Sequence, residues 1–249
     1  LAPSPVIRIR SGWTFEVPAD DGIAVLPAAR ASEPIARVNG IVLLEPAWEM
    51  NGDWNYAWQG VANGSNSTAP ARYVSAWRRL VGIFRDHGAN NVRFVFNPNT
   101  GNALAGGAPG TSHWNWYGNY YPGDGYVDYI GAHGYNGPTT WNTPYHTFRD
   151  LFAGRDADHM LTDMMSRYPN KPIIIGEMAA EETSGRDKGA WIASAYDDMV
   201  ANGRIVGAIW FDMNKEADWR IDSSASSARA YREAMAAPRV QERYDDGLV

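Results

Sequence analysis

At residues 41–49 the chain reads IVLLEPAWE, a short apolar run that leads to a glutamate beside a tryptophan. Residues 173–177 read IIIGE, a second apolar run that ends directly on a glutamate. Short apolar runs bounded by polar residues are typical of buried strands. In a (β/α)8 barrel the functional side chains project from the carboxyl ends of such strands. Glu49 and Glu177 therefore both stand where chemistry is expected.

Apolar runs alternate with amphipathic stretches from residue 41 onward, a rhythm typical of repeated βα units. The predicted strands are Ile41–Leu44, Val92–Phe96, Val127–Ala132, Ile173–Gly176 and Ile205–Phe211. One predicted helix begins at Thr68 and ends before His87, and the others cover about His159–Tyr168, Gly189–Asn202 and Ser226–Met235. The chain is therefore predicted to be α/β, a (β/α)8 barrel in one domain over residues 1–249, and its 45% of hydrophobic residues can bury a full core.

The residues before Ile41 are too few for the strands that a full barrel needs there. Each βα unit takes about 30 residues, so this part has room for one unit, with Val6–Ile9 as its strand and Ala24–Ala36 as a poor helix. We expect the barrel to be short or incomplete at its N-terminal strands. Glu16 follows a weaker aromatic strand end and is the reserve candidate for an acid, and residues 237–249 are expected to form a polar tail.

The charge and composition of the chain favour a neutral partner. A net charge of −6 provides no basic surface for a phosphate backbone, so nucleic acid is not predicted to bind. No stretch approaches the ~18 apolar residues of a membrane span. The absence of cysteine removes disulfides and cysteine-bound zinc. The chain starts at Leu1 rather than Met, which suggests that something has been removed: a secretory leader, or the beginning of a trimmed chain or gene fragment. A secreted location is expected, and the oligomeric state stays open.

Aromatic residues are numerous, and they concentrate in one long loop. With 11 Trp and 13 Tyr the chain is rich in flat apolar rings with polar edges, which suit the faces of sugars but can equally fill a core. Residues 100–126 hold five glycines within 101–118, followed by an aromatic half. A loop of this length inside a compact domain usually has a task. We expect the aromatic half to form one wall of a cleft.

Paired glutamates in aromatic surroundings predict a glycosidase. One carboxylic acid protonates the leaving oxygen, and a second carboxylate attacks the anomeric carbon or activates water against it. Glu49 and Glu177 lie 128 positions apart, a separation that successive βα units can bridge. The alternative is that either one is a helix-capping or salt-bridged glutamate.

Histidine chemistry is the weaker alternative. The histidines of the chain are His87, His113, His133, His146 and His159. They show neither the His-x-His nor the His-x-x-x-His spacing of metal ligands, so a metal hydrolase is disfavoured. Neither a metal nor a cofactor is predicted.

Several ordered motifs over residues 41–232 resemble glycoside hydrolase family 26, a family of retaining (β/α)8 enzymes that includes β-mannanases and some mixed-linkage β-glucanases. The motifs are Glu49-Met50-Asn51-Gly52-Asp53-Trp54 with Trp58, Asn97-Pro98-Asn99, residues 120–136, Lys171-Pro172-Ile173-Ile174-Ile175-Gly176-Glu177, and Ala208-Ile209-Trp210-Phe211 with Asp218-Trp219-Arg220. Each motif alone is weak, but five in the same order are specific.

The resemblance implies roles for individual residues. Glu49 would be the general acid/base and Glu177 the nucleophile, with Tyr135 orienting Glu177 by a hydrogen bond and Trp210 forming an aromatic floor under the sugar. The other residues expected to contact substrate are Trp48, Asn51, Trp54, Trp58 and Asn97. The implied function is a retaining endo-β-glycosidase acting on β-1,4-mannan or a related β-glucan.

One departure from the family pattern leaves a second function open. The family usually places His before the acid/base, where this chain has Trp48. Together with the short N-terminal part, this substitution suggests a non-catalytic polysaccharide-binding protein or an inactive barrel fragment as the alternative. Both mannan and glucan stay open as substrates. They differ in the 2-hydroxyl, which is recognised by loop side chains whose positions the sequence does not specify.

Overall fold

A computed structural model of the chain describes residues 32–33, 35–54, 56–100, 113–141, 144–154, 160–238 and 240. These residues fall into two compact units, one extending to Tyr129 and the other starting at Ile130. The predicted strand Val6–Ile9 and the reserve acid Glu16 lie outside the described residues, as do most of the helix predicted over Ala24–Ala36 and of the tail.

The first unit contains two parallel strands connected through a long helix. Strand β1 is Val42–Leu44, helix α1 is Thr68–Asp86 and strand β2 is Val92–Phe96. Val42 pairs with Val92 and Leu44 with Phe94. This strand–helix–strand connection is the βα unit that the apolar periodicity predicted.

Helix α1 packs on β2 through an apolar face. Phe84 contacts Phe94 with ring centroids 5.8 Å apart, and Trp77 contacts Phe96 at 5.9 Å. Because side chains alternate along a strand, Val95 is directed to the opposite face of β2. The helix begins at Thr68 as predicted, and ahead of it the Asn66 Oδ1 accepts from the Thr68 N–H at 2.9 Å.

The second unit is built around one central strand. Strand β5, Ile173–Ala180, is parallel to β4, His133–Asn136, and to β6, Ile205–Trp210. Met178 pairs with both Gly134 and Trp210, so β4 and β6 lie on opposite edges of β5. Every residue of β5 except Glu177 is buried, and such burial of a parallel strand explains its continuous apolar sequence.

Two strand boundaries differ from the predictions. The strand predicted over Val127–Ala132 is instead β3, Tyr129–Ile130, which resumes as β4 after two residues. Ile130 pairs with Ile173 but His133 pairs with Glu177, so the register shifts by one residue across the interruption. The predicted strand Ile173–Gly176 was too short, because pairing with β4 extends β5 to Ala180 and places Glu177 inside it.

Three further helices complete the second unit close to their predicted positions. They are α2, Met160–Arg167; α3, Lys188–Ala201; and α4, Ala225–Ala236. The apolar face of α3 is buried, and the first turn of the helix is capped by Asp187, which accepts from the Ala190 N–H at 2.9 Å. None of the helices in the described parts of the chain is long and apolar enough to cross a membrane.

Candidate active site

Glu49 lies in the turn that follows β1, and its main chain is held from two sides. Its N–H donates to the Asn97 carbonyl at 2.9 Å, and its own carbonyl accepts from Gly52 N–H at 2.9 Å and from the Gln59 side chain at 3.0 Å. Its φ of 55° is in the left-handed region that residues with a side chain rarely adopt. The surrounding hydrogen bonds fix this strained conformation at the end of the strand.

Two side chains hold the carboxylate of Glu49, one at each oxygen. The Trp54 indole N–H donates to Oε2 at 2.7 Å, and the Asn99 carboxamide donates to Oε1 at 3.3 Å. Gln59 is fully buried, and its Oε1 accepts the main-chain N–H groups of Trp54 and Tyr56 at 3.0 and 3.1 Å. Gln59 thus closes the loop that brings Trp54 back onto Glu49.

Asn51 joins the turn after β1 to the turn after β2. Its Nδ2 donates to the Asn99 carbonyl at 3.0 Å and its Oδ1 accepts from the Asn99 N–H at 2.9 Å. The Asn115 side chain donates to the Asn51 carbonyl at 2.9 Å. The carboxamide of Asn51, expected to contact substrate, is therefore engaged in positioning Asn99, the residue that bonds Glu49.

Asn97 contributes a buried carboxamide at the carboxyl end of β2. The residue is only 1% exposed, and neither its Oδ1 nor its Nδ2 has a hydrogen-bond partner within the described part of the chain. A buried donor and acceptor left unpaired cost free energy, so such a group in a native protein usually meets a water or a ligand.

Trp48, Tyr56 and Trp58 form an aromatic cluster beside Glu49. The ring centroids of Trp48 lie 6.0 Å from Tyr56 and 4.9 Å from Trp58. The Trp58 indole N–H donates to the Trp48 carbonyl at 2.6 Å. Trp48 is thus packed among rings. Trp54, in contrast, leaves 38% of its surface exposed.

Glu177 is the fifth residue of β5 in the second unit, and its side chain is 15% exposed. The Tyr135 hydroxyl donates to its Oε2. His133 is fully buried on the neighbouring strand, paired in register with Glu177, and its Nδ1 lies 3.9 Å from the same oxygen. Residues 133 and 135 point to one face of β4 because side chains alternate, and both meet Glu177.

A row of three rings, Tyr135, Trp219 and Trp141, leads away from Glu177. Trp219 is fully buried, with its ring centroid 5.3 Å from Tyr135 and 6.0 Å from Trp141. The Trp219 carbonyl accepts from the Trp210 indole N–H at 2.7 Å. Trp210, predicted as the sugar floor, is 7% exposed and packs against Trp191 at 5.9 Å.

Lys188 anchors the loop that carries Trp219. It is fully buried at the first position of α3, and its ammonium donates to the carbonyls of Asp218 and Arg220 at 2.7 and 3.0 Å and to the Ser223 hydroxyl at 2.7 Å. Burial lowers the pKa of Lys188 from its ordinary value. These three acceptors compensate the desolvation of the cation.

Sequence reasoning missed four residues of this region. Gln59, Asn99, His133 and Lys188 act through the folding-back of loops or through strand register, which short motifs do not reveal. Of these four, Asn99 and His133 could have been found, because they lie within two of the family motifs, Asn97-Pro98-Asn99 and residues 120–136.

The family model for glycosyl hydrolase family 26 matches residues 35–160, just over half of the chain. The chain belongs to glycoside hydrolase family 26. The resemblance that the ordered motifs indicated is thereby confirmed.

Two curated relatives of the family 26 chain carry activity names. Endoglucanase H of Acetivibrio thermocellus is 38% identical over 229 residues, which cover 90% of this chain and 23% of the relative. Mannan endo-1,4-beta-mannosidase A and B of Caldalkalibacillus mannanilyticus is 31% identical over 102 residues, covering 39% of this chain and 17% of the relative. The family 26 chain thus spans less than a quarter of the length of either.

Solved structures identify the fold of the family 26 chain. A family 26 β-mannanase of Bacteroides ovatus superposes with a TM-score of 0.59 at 17% identity, covering 86% of this chain and 57% of that one. The family 26 domain of a Prevotella bryantii endo-β-mannanase/endo-β-glucanase gives 0.55 at 17% identity, covering 87% and 55%. The predicted α/β class and (β/α)8 type are confirmed, with six strands in the described residues rather than eight.

Proposed function

We propose that this family 26 domain is a retaining endo-β-glycosidase that hydrolyses a β-1,4-linked polysaccharide. The observation that carries the proposal is the setting of the two glutamates. Each follows or lies in a parallel strand, each has a carboxylate oxygen bonded by an aromatic side chain, and each is associated with a ring that reaches solvent. Oriented carboxylates beside exposed rings suit an uncharged sugar polymer.

Glu177 is the nucleophile of the proposed mechanism. Its place within β5 and the Tyr135 hydroxyl on Oε2 leave the carboxylate little freedom to turn. Attack on the anomeric carbon forms a glycosyl-enzyme ester as the glycosidic oxygen leaves. Orientation of this kind lowers the entropic cost of the attack.

Glu49 is the general acid/base. It protonates the leaving oxygen in the first step and removes a proton from water in the second, when that water hydrolyses the ester. The Trp54 indole and the Asn99 carboxamide orient its two oxygens. Double displacement requires the two carboxyl groups to lie about 5–5.5 Å apart.

A β-glucan is the first candidate substrate and β-mannan the second. The relative named as an endoglucanase is similar over 90% of this chain, whereas the relative named as a mannanase is similar over 39%. Because a long polysaccharide does not enter cells, the proposed activity also favours an extracellular location.

Release of reducing sugar from mixed-linkage β-glucan, β-mannan and xylan tests the proposal. We expect release from one of the first two polymers and a loss of at least about 100-fold in Glu177→Ala and in Glu49→Ala. Glu233→Ala, which removes an exposed glutamate on α4, is the matched control and should keep full activity. Proton NMR should show that the first product keeps the β configuration.

Two results would contradict the proposal. An active Glu177→Ala protein would remove the double-displacement mechanism. Binding of the polymers by a folded wild-type chain without any release would instead favour the non-catalytic binding protein, to which the packed Trp48 in place of histidine already points.

A further inference from the structure

Trp141 is an exposed tryptophan for which the proposed chemistry has no use. Within the described residues the large apolar side chains with high exposure are Trp54 at 38%, Trp141 at 48% and Met213 at 40%. Trp54 bonds Glu49 through its indole N–H. Trp141 has no comparable task, yet an exposed indole surface is unfavourable in water.

We propose that Trp141 is a stacking platform for a sugar unit of the polysaccharide chain, outside the unit that reacts at Glu177. The inference rests on the proposed function, which it deepens by adding a distal subsite. Its occupant is an uncharged pyranose, whose C–H face packs on the flat indole while its hydroxyls stay in water.

The turn that carries Trp141 is held in place before any ligand arrives. Residues Thr139–Trp141 form one 3-10 turn, in which the Trp141 N–H donates to the Pro138 carbonyl at 3.0 Å. The Thr139 N–H donates to Glu181 Oε2 at 2.7 Å, directly after β5. Arg186 pairs with the same oxygen at 3.2 Å, and both side chains of this ion pair are largely buried.

The close packing at Gly137 further restricts this turn. Its φ is 110°, and a Cβ built there would lie 2.8 Å from the Arg186 guanidinium and 3.0 Å from the Glu181 Cβ. The backbone therefore approaches the ion pair as only glycine allows. A platform on a preorganised turn loses little entropy when a sugar stacks on it.

The position of Trp141 connects it with the candidate nucleophile. Trp141 contacts Trp219, Trp219 contacts Tyr135, and the Tyr135 hydroxyl bonds Glu177. Trp219 is fully buried, so Trp141 is the ring of this row that offers a broad face to solvent. A polymer whose reacting sugar lies at Glu177 extends beyond it, and Trp141 stands at the outer end of the same row.

Oligosaccharide binding to a catalytically disabled protein tests the platform. The parent is Glu177→Gln, which keeps the side-chain shape, and calorimetry measures its affinity for mixed-linkage gluco-oligosaccharides and manno-oligosaccharides of two to six units. Adding Trp141→Ala should weaken binding of the longer oligosaccharides roughly 3- to 10-fold and leave that of the shortest unchanged. Trp141→Phe should retain most of the affinity because it keeps a ring.

Met213→Ala in the same parent is the matched control. It removes an exposed apolar side chain that is not part of the row formed by Tyr135, Trp219 and Trp141. It should bind every oligosaccharide as the parent does. Equal affinities of the parent and Trp141→Ala at all lengths would overturn the platform, and so would an absence of binding to any oligosaccharide.

The two proposals fail separately. If the wild-type chain hydrolyses the polymer but Trp141→Ala leaves oligosaccharide affinity unchanged, the platform is contradicted and the hydrolase activity stands. Length-dependent binding that needs Trp141, in a wild-type chain that releases no sugar, would remove the hydrolase activity and leave the platform.

Discussion

At the residue scale, Glu49 carries its carboxylate from a backbone conformation that costs free energy. A φ of 55° lies where a residue with a Cβ is destabilised by about 1–2 kcal/mol. Hydrogen bonds to Asn97, Gly52 and Gln59 maintain it. Strain of this kind is found where a side chain must be aimed in a direction that regular structure does not supply.

Glycine and alanine at position 49 should separate this strain from the chemistry. Both variants lack the carboxylate, but glycine adopts a positive φ without penalty, so Glu49→Gly should have a free energy of unfolding about 1 kcal/mol above that of Glu49→Ala. Urea denaturation measures the difference. At Glu233, an exposed helical site, the order should reverse because glycine disfavours a helix. Equal stabilities at position 49 would show that the turn is unstrained.

Tyr135→Phe should lower turnover while leaving the fold intact. The ring keeps its contacts with Phe211 and Trp219, and only the hydroxyl that donates to Glu177 is lost. A hydrogen bond to a charged group contributes about 1.5–3 kcal/mol, so kcat should fall roughly 10- to 100-fold. Steady-state kinetics on the active polymer, with thermal melting as the folding control, provide the test. An unchanged kcat would remove Tyr135 from the mechanism.

The positions of Glu49, Glu177 and Tyr135 could be predicted from sequence because each stands in a short motif at or in a strand. Gln59 could not, because its contact with Glu49 exists only once the chain around Trp54 and residues 56–59 lies back on the turn. Asn51 was recognised, but its pairing with Asn99 depends on two loops that lie 48 positions apart in the chain.

At the element scale, the loop between β6 and α4 depends on a single buried cation. Lys188 bonds Asp218, Arg220 and Ser223 at once, and this loop places Trp219 against Tyr135 and Trp141. Lys188, at the start of α3, therefore helps to set the position of Trp219 in the ring row.

Lys188→Met should destabilise this loop and the unit that contains it. Methionine fills a similar volume but leaves two carbonyls and one hydroxyl without their donor, at a cost of about 2–3 kcal/mol. Denaturant unfolding measures the loss, and Lys215→Met, at an exposed lysine of the same loop, is the control that should change little. A Lys188→Met protein as stable as the wild type would show that water replaces the ammonium.

Helices were predicted more accurately than strands for a physical reason. The faces of α1 and α3 follow from spacing within one segment, which local sequence contains. The interruption between β3 and β4 and the extension of β5 to Ala180 depend instead on register between strands.

At the scale of the whole molecule, buried phenols make stability sensitive to alkaline pH. Burial raises the pKa of Tyr73, Tyr120 and Tyr196 above the ordinary value. The unfolded chain therefore releases these protons first as pH rises past about 10. The contribution of these protonated tyrosines to the free energy of unfolding is fully present below that pH. It is lost as pH rises from the pKa of the unfolded state towards the pKa values of the folded state.

The free energy of unfolding should accordingly fall above about pH 10, by about 1.4 kcal/mol per pH unit for each proton retained only by the folded state. Urea titrations between pH 8 and 11 measure the slope. Tyr196→Phe should reduce the slope by up to about 1.4 kcal/mol per pH unit, the equivalent of one proton, because it removes one group with a raised pKa. A slope that Tyr196→Phe leaves unchanged would show that this phenol is solvated.

Pairing of β5 on both edges should also slow the exchange of its backbone amide protons with solvent. Its amide protons are hydrogen-bonded in the interior of a sheet, so they should exchange with deuterium only when the second unit opens globally. We therefore expect Glu177 to lie in the slowest-exchanging part of its unit, and Glu49, in a turn outside the strands, to be released by smaller openings. On gentle heating, a working enzyme would lose the alignment of its acid before that of its nucleophile, and would become inactive while still folded.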